Sequence, residues 1–396
     1  MPILGIGSSS KQGDIGAPRI LRNGHSLEFD GSDDYISIQE YIIADEEAFS
    51  FHAWIYPEEA SAGDELHIAG YTGSSGSTAD YIRWRANINQ LRVVIDGTGY
   101  SFIHSSVTDS AWHHLVVTRG TDNNVRVYVD GTESSSGEQV LGGQFRFSKI
   151  GETYSQWEYI GKISDVAIWN TQLSDDDVSK LYNNSRPTNL RHLRSYKTSR
   201  TSNLKRWYRM GDSSNDDIYE VSSTHGVVDD ASNPGLSTTN LLAAYPTTSD
   251  TWTKASEWTY DATNDRYLYD DTGTGAINTG SDISIAAATV HKLTFKIYTH
   301  SGSGATSPVA RMHLADGAGS AWTGTGYTDY AGSASGTLHT VYFMNTGSED
   351  TTLKFTGTNG AAGTTFGIGD IELYAFNGSP GILTNMASDD LVRVSP

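Results

Sequence analysis

Apolar residues recur at every second position in several stretches of this 396-residue chain. In "AFSFHAWIYP", Phe49, Phe51, Ala53 and Ile55 share one face of an extended segment, and in "HKLTFKIYT" Leu293, Phe295 and Ile297 do the same. A period of two predicts strands with one buried face. "SLEFDGSDDYISI" places Leu27 and Phe29, then Ile36 and Ile38, on either side of a Gly-Ser-Asp-Asp turn, and "YIRWRANINQLRVVID" reads as two strands joined at Asn87 to Gln90. "KISDVAIWN" is apolar on both faces near its end, the pattern of a strand covered on both sides. Later strands are predicted in "LHTVYFMN", "TTLKFTGT" and "IGDIELYAF". One stretch, "LSDDDVSKLYNN", has the helical period: Ser174 is its N-cap, Asp175, Asp176 and Asp177 suit the positive end of the helix dipole, and Val178, Leu181 and Tyr182 form one face.

This pattern predicts an all-β protein of two antiparallel β-sandwich domains with one short helix and irregular termini. Residues 1–24 read as an N-terminal arm, 25–235 as a first sandwich, 236–378 as a second and 379–396 as a tail. Abundant Gly, Ser and Thr fit many short strands joined by tight turns. With no cysteine, no disulfide can staple the fold. The start "MPILGIGSSSKQGD" lacks a basic stretch before an apolar core, so no export signal is expected, and no apolar run reaches the roughly 18 residues of a membrane span. The net charge of −20 repels nucleic acid. Val178 to Gly211 breaks that trend with nine basic and no acidic residues.

"WHHLVVTRGTDNNVRVYVDG", Trp112 to Gly131, reads as a hairpin. Alternation turns His113 and His114 to opposite faces, so they cannot ligate one metal from a regular strand. Its form, a strand opening Trp-His-His, a turn, then a strand ending Tyr-Val-Asp-Gly, resembles the laminin-G-like, concanavalin A-like jelly-roll family. "LEFDGSDDYISI", "FSFHAWIYP" and "YIGKISDVAIWNTQLSDDDVSKLYNN" resemble its opening strands, first core strand, and closing strand with helix, in the family's order. The resemblance covers roughly His25 to Asn184 and implies two antiparallel sheets packed face to face, often binding carbohydrate or protein ligands. The second unit resembles carbohydrate-binding-module jelly rolls. Together with the Gly/Ser-rich leader and "WYRMGD", the pairing is similar to virion proteins of tailed bacteriophages: head decorations, head fibres or tail fibres.

For chemistry, the chain has no Glu-x-Asp-x-x-Glu strand, Gly-x-Ser-x-Gly, His-Glu-x-x-His or phosphate loop. A non-enzymatic role is expected. Sugars need aromatic faces beside polar groups. The candidates are Trp322, Tyr327 and Tyr330 in a Gly-rich loop, Trp157 and Tyr159 before a closing strand, and Tyr81, which shares a face with Arg83 and Arg85. Calcium, if it has a structural role, would use acidic turns such as Asp30/Asp33/Asp34, with Asp370 as first choice because related modules place a calcium ligand there. Arg191, Arg194, Lys197, Arg200, Lys205 and Arg206 are the candidate docking surface for an acidic neighbour, a virion protein or another copy of this chain in a trimer. The expectation is a virion structural protein, assembled in the host cytoplasm and displayed on the virion surface, that binds glycans and neither nucleic acid nor membrane. The alternatives are a bacterial surface or secreted adhesin and a glycan hydrolase without a recognisable motif.

Overall fold

A computed structural model describes residues 24–58, 65–71, 79–153, 157–191, 201–212, 216, 227–270, 275–281, 283–286, 289–301, 309–315, 329–344, 350–357, 365–384, 386 and 390–393. Its strands pair antiparallel into four sheets, which form two sandwiches. In the first, a nine-stranded sheet runs Thr132–Glu133, Asn124–Val129, His113–Arg119, Phe49–Pro57, Ile160–Trp169, Ser26–Asp30 and Leu391–Val392, with Gln139–Val140 and Leu204–Tyr208 paired alongside. Facing it, an eight-stranded sheet runs Val227–Val228, Gly381–Thr384, Tyr35–Ile43, Phe145–Ile150, Leu66–Tyr71, Asp80–Arg85, Gln90–Ile95 and Thr98–Ile103. The alternating residues Phe49, Phe51, Ala53 and Ile55 meet Phe145, Phe147, Trp84 and Leu91 in one core between the sheets. Phe49 stacks on Phe145 with ring centroids 5.1 Å apart, and Phe51 on Phe147 at 5.5 Å.

The strands Phe49–Pro57 and Ile160–Trp169 are buried on both faces, as the double-sided apolar pattern predicts. Their outer side is covered by Asp175–Tyr182, the one α-helix among the described residues, and by Leu204 and Trp207. Ser174 caps this helix in a reciprocal capping box with Asp177. Val178 and Leu181 face inward onto Val116, Ala167 and Trp169. Gly131, at φ +75° in the Asp130–Gly131 turn, sits where a Cβ would lie 2.9 Å from the Tyr182 ring, so the turn and the helix fit only with glycine there.

Two segments depart from their sequence-based description. Lys205 and Arg206, one reading of which is a partly helical linker, lie on the strand Leu204–Tyr208, which extends the first sheet beyond Ile160–Trp169. The C-terminal stretch, expected as a tail, returns to the first sandwich: Gly381–Thr384 pairs with Tyr35–Ile43 and Leu391–Val392 with Ser26–Asp30. The second sandwich is therefore inserted between strands of the first. It packs Trp252, Trp258, Tyr267, Leu293, Phe295, Phe343, Phe355 and Phe366 between a six-stranded and a five-stranded sheet. The outgoing and returning chains cross side by side: Asn233 Nδ2 donates to the Asn377 carbonyl at 2.7 Å, and Asn377 N to the Gly235 carbonyl at 2.9 Å.

Candidate functional site

The strand Asp80–Arg85 builds the most distinctive surface of the first sandwich. Its alternation sends Ile82 and Trp84 into the core and Tyr81, Arg83 and Arg85 to the outer face of the eight-stranded sheet. Register then fixes their neighbours. Arg83 lies opposite His67 on one side and Arg92 on the other, and Tyr81 lies between Gly70 and Val94. A bulge between His67 and Ala69 keeps Leu66, Ile68 and Ala69 in the core while His67 turns out. Gly70 lets the backbones close up: a Cβ there would lie 2.1 Å from the Asp80 carbonyl and 2.8 Å from Thr153 Cγ2.

The His67 imidazole is the middle of an aromatic stack. Tyr81 lies against it at 4.5 Å between centroids, and Trp157 lies nearly parallel to it at 5.2 Å and 19°. Nδ1 of His67 shares a hydrogen bond with Thr153 Oγ1, and Nε2 is buried without a partner. Burial, and then the nearby Arg83 charge, push its pKa down to about 3, so the ring is neutral and apolar in character near pH 7. Trp157 remains 38 % exposed. The guanidinium of Arg83 lies 5.9 Å from the Tyr81 centroid and is ion-paired with Glu65, which also meets Arg85 Nη1 at 3.4 Å. The result is an exposed indole held flat on a rigid support, bordered by guanidiniums and one carboxylate.

The other candidates fall differently. Tyr159 is fully buried, edge-on to Phe29 at 5.9 Å, with its hydroxyl donating to the Lys162 carbonyl at 3.3 Å; it is scaffold, because the turn into Ile160–Trp169 points it into the core. Trp322 and Tyr327 lie outside the described residues; the Tyr330 backbone is on the short strand Asp329–Ala331, paired with Ala310. Asp370 is exposed at a positive-φ position and ion-paired with Lys296 at 2.8 Å. The group with cation-binding spacing among the described residues is the Asp30/Asp33/Asp34 turn. There Asp34 is buried and accepts from Asp30 N at 2.9 Å; burial, then repulsion from neighbouring carboxylates, push its pKa up to about 7. Of the basic residues, Arg194, Lys197 and Arg200 lie outside the described residues, and Arg191 donates to the Ala231 carbonyl at 3.4 Å. Lys205 and Arg206 line a cleft of about 420 Å³ with Gln39, Asp230, Asn377 and Ser379, between the two sandwiches.

His113 and His114 face apart, as alternation requires. His113 meets Asp130 Oδ2 at 3.0 Å and packs on Trp84; His114 meets His52 at 2.9 Å beneath the helix. Sequence reasoning did not single out His67, Glu65 or Arg92. His67 stands as one polar residue within "LHIAGY", and nothing local ties it to Trp157, ninety residues away.

Residues 30–179 match the Laminin_G_3 family model, described as the concanavalin A-like lectin/glucanases superfamily. The Trp157–His67–Tyr81 stack lies within the residues that this model matches. Solved structures similar to the chain include a candidate carbohydrate-binding protein from Bacteroides ovatus, at 17 % identity and TM-score 0.35 over 52 % of this chain and 56 % of that one. They also include a heptameric SAP-like pentraxin from Limulus polyphemus, at 13 % identity and TM-score 0.32 over 40 % of this chain and 82 % of that one. A third is the Trypanosoma rangeli sialidase, at 16 % identity and TM-score 0.28 over 35 % of this chain and 23 % of that one. The chain spans little more than half the length of the first. No curated protein sequence matches it.

Proposed function

We propose that this protein is a non-enzymatic glycan-binding protein whose first sandwich receives a sugar ring on Trp157. The observation that carries the proposal is the stack itself: an indole 38 % exposed lies parallel to a buried, neutral histidine that is backed by Tyr81. An aromatic ring held in advance loses little conformational freedom on binding, and its face matches the apolar C–H face of a pyranose. Arg83, Arg85 and Glu65 supply hydrogen-bonding groups at its border. The lectin/glucanase family match supports a sugar ligand. Glu65 is engaged by two guanidiniums rather than free to act as an acid, which favours binding over hydrolysis. The setting in this proposal is the surface of a tailed-phage virion, a point that rests on the sequence resemblance; mass spectrometry of purified particles tests it, and secretion from a bacterium would replace it with the adhesin alternative.

Screening the purified chain and its Trp157→Ala variant on a glycan array tests the site. Binding by the parent and loss of at least tenfold in affinity by the variant are expected. Equal binding by both would remove Trp157 from the site.

A further inference from the structure

The polar border of the Trp157 face carries more positive than negative charge, and the sheet register is the cause. Arg83 and Arg92 occupy directly opposed positions on neighbouring strands, on the same outer face. Like charges so placed repel and destabilise a strand pair. Glu65 answers part of that charge through Arg83 and Arg85. Arg92 has one hydrogen bond, Nη1 to Ser101 Oγ at 3.3 Å, and no ion pair among the described residues. Its side chain lies along Gly99, where a Cβ would come within 3.1 Å of Nη2 and 3.2 Å of Nε, so the glycine leaves room for the guanidinium. Arg83, Arg85 and Arg92 thus share one outer face, with Glu65 paired to the first two, on a protein whose net charge is −20.

Opposed like charges cost stability, and an oxyanion bound beside Arg92 offsets that cost. A guanidinium fork matches the paired oxygens of a carboxylate or sulfate. Tyr81 of the aromatic stack lies on the same strand as Arg83, whose guanidinium is 5.9 Å from its ring centroid. We infer that the ligand of the Trp157 face is an anionic glycan, a sugar bearing a carboxylate or sulfate, whose ring rests on Trp157 and whose charge is received by Arg92 together with Arg83 and Arg85. This inference rests on the glycan-binding proposal and adds the ligand's charge to it. Nucleic acid offers oxyanions too, but its continuous polyanionic backbone meets the strongly acidic remainder of the chain.

The test uses the full chain on an array of matched pairs: uronate chains and their methyl esters, sialylated glycans and their desialylated parents, sulfated chains and their desulfated forms. Single-stranded DNA is the polyanion control. The expected result is binding confined to anionic members, with the carboxylate and sulfate arms identifying which oxyanion is taken. Affinity should fall at least tenfold in Arg92→Gln, recover partly in Arg92→Lys, and weaken as salt rises from 50 to 500 mM on the order expected for charge contacts. Circular dichroism confirms that the variants fold. Equal binding to the neutral parents that is lost in Trp157→Ala would overturn the anionic inference and leave the sugar site standing. Unchanged affinity in Arg92→Gln, or tighter binding to DNA than to any glycan, would also overturn it. Silence on every member would overturn the glycan-binding proposal together with the inference.

Discussion

His67 ties the exposed Trp157 face to a pH response through one buried side chain. Its ring fills the space between Tyr81 and Trp157, so His67→Ala should leave Trp157 without its support and weaken glycan binding at least as much as it weakens the fold; paired affinity and denaturation measurements check this. The folded-state pKa of His67 is held at about 3 and that of His291 at about 4, both by burial, and His114 is held well below its ordinary value for the same reason. Unfolded, these histidines take up protons near pH 6.5, so between that value and their folded pKa values the unfolded chain binds more protons. Stability should therefore fall as pH drops below 6.5, by at most about 1.4 kcal/mol per pH unit for each histidine, as urea midpoints at successive pH values will show. Asp34 acts in the opposite sense. Its pKa is raised to about 7, so its protonated form favours the fold at low pH and that contribution is lost as pH rises through 7. Asp34→Asn keeps an oxygen for the Asp30 amide and removes the buried charge; its melting temperature should exceed the parent's at pH 8, with the gain shrinking toward pH 5. A parent that melts higher at pH 8 would contradict this. Trp157 and Tyr81 were legible in the sequence as aromatics off the core face. Their meeting through His67 was not, because the contact joins segments far apart in the chain whose register only the folded sheet sets.

At the scale of elements, local chemistry was a good guide. The helix starts where Ser174 and the three aspartates require, and its cap closes as a reciprocal pair. Ser174→Ala removes the acceptor for Asp177 N and the donor to its carboxylate, and should cost about 1 kcal/mol in a denaturation experiment. The strands of the Trp112 to Gly131 hairpin and the doubly covered Ile160–Trp169 also follow their residue pattern. What alternation did not reveal was lateral placement. Leu204–Tyr208 lies in a segment dominated by basic residues, yet Leu204, Trp207 and Tyr208 are enough to pair it with Ile160–Trp169 and close over the outer face. Tyr159 shows the same limit: one position before a strand, a turn decides whether an aromatic faces solvent or core, and here it faces core.

At the scale of the molecule, the end of the chain belongs to the beginning. Gly381–Thr384 and Leu391–Val392 complete both sheets of the first sandwich, and Tyr208 donates to the Ser379 carbonyl at 2.8 Å. A chain ending at Gly378 should therefore melt well below the full chain, with the loss in the first sandwich; an unchanged melting temperature would mean these strands add nothing. This arrangement was hidden in the sequence because two short strands, the first following Pro380 and the second following two aspartates, carry too little alternation to be told from a tail. It brings the start and end of the second sandwich together beside the cleft lined by Lys205 and Arg206, while the Trp157 face lies on strands nearer the other edge of the eight-stranded sheet. On the proposed function, this face binds sugar. Isothermal titration of the best glycan-array ligand into the full chain and into Trp157→Ala tests it most directly. Measurable binding by the parent and its loss in the variant, with the fold intact, are expected; identical binding isotherms for the two proteins would exclude Trp157 as the sugar platform.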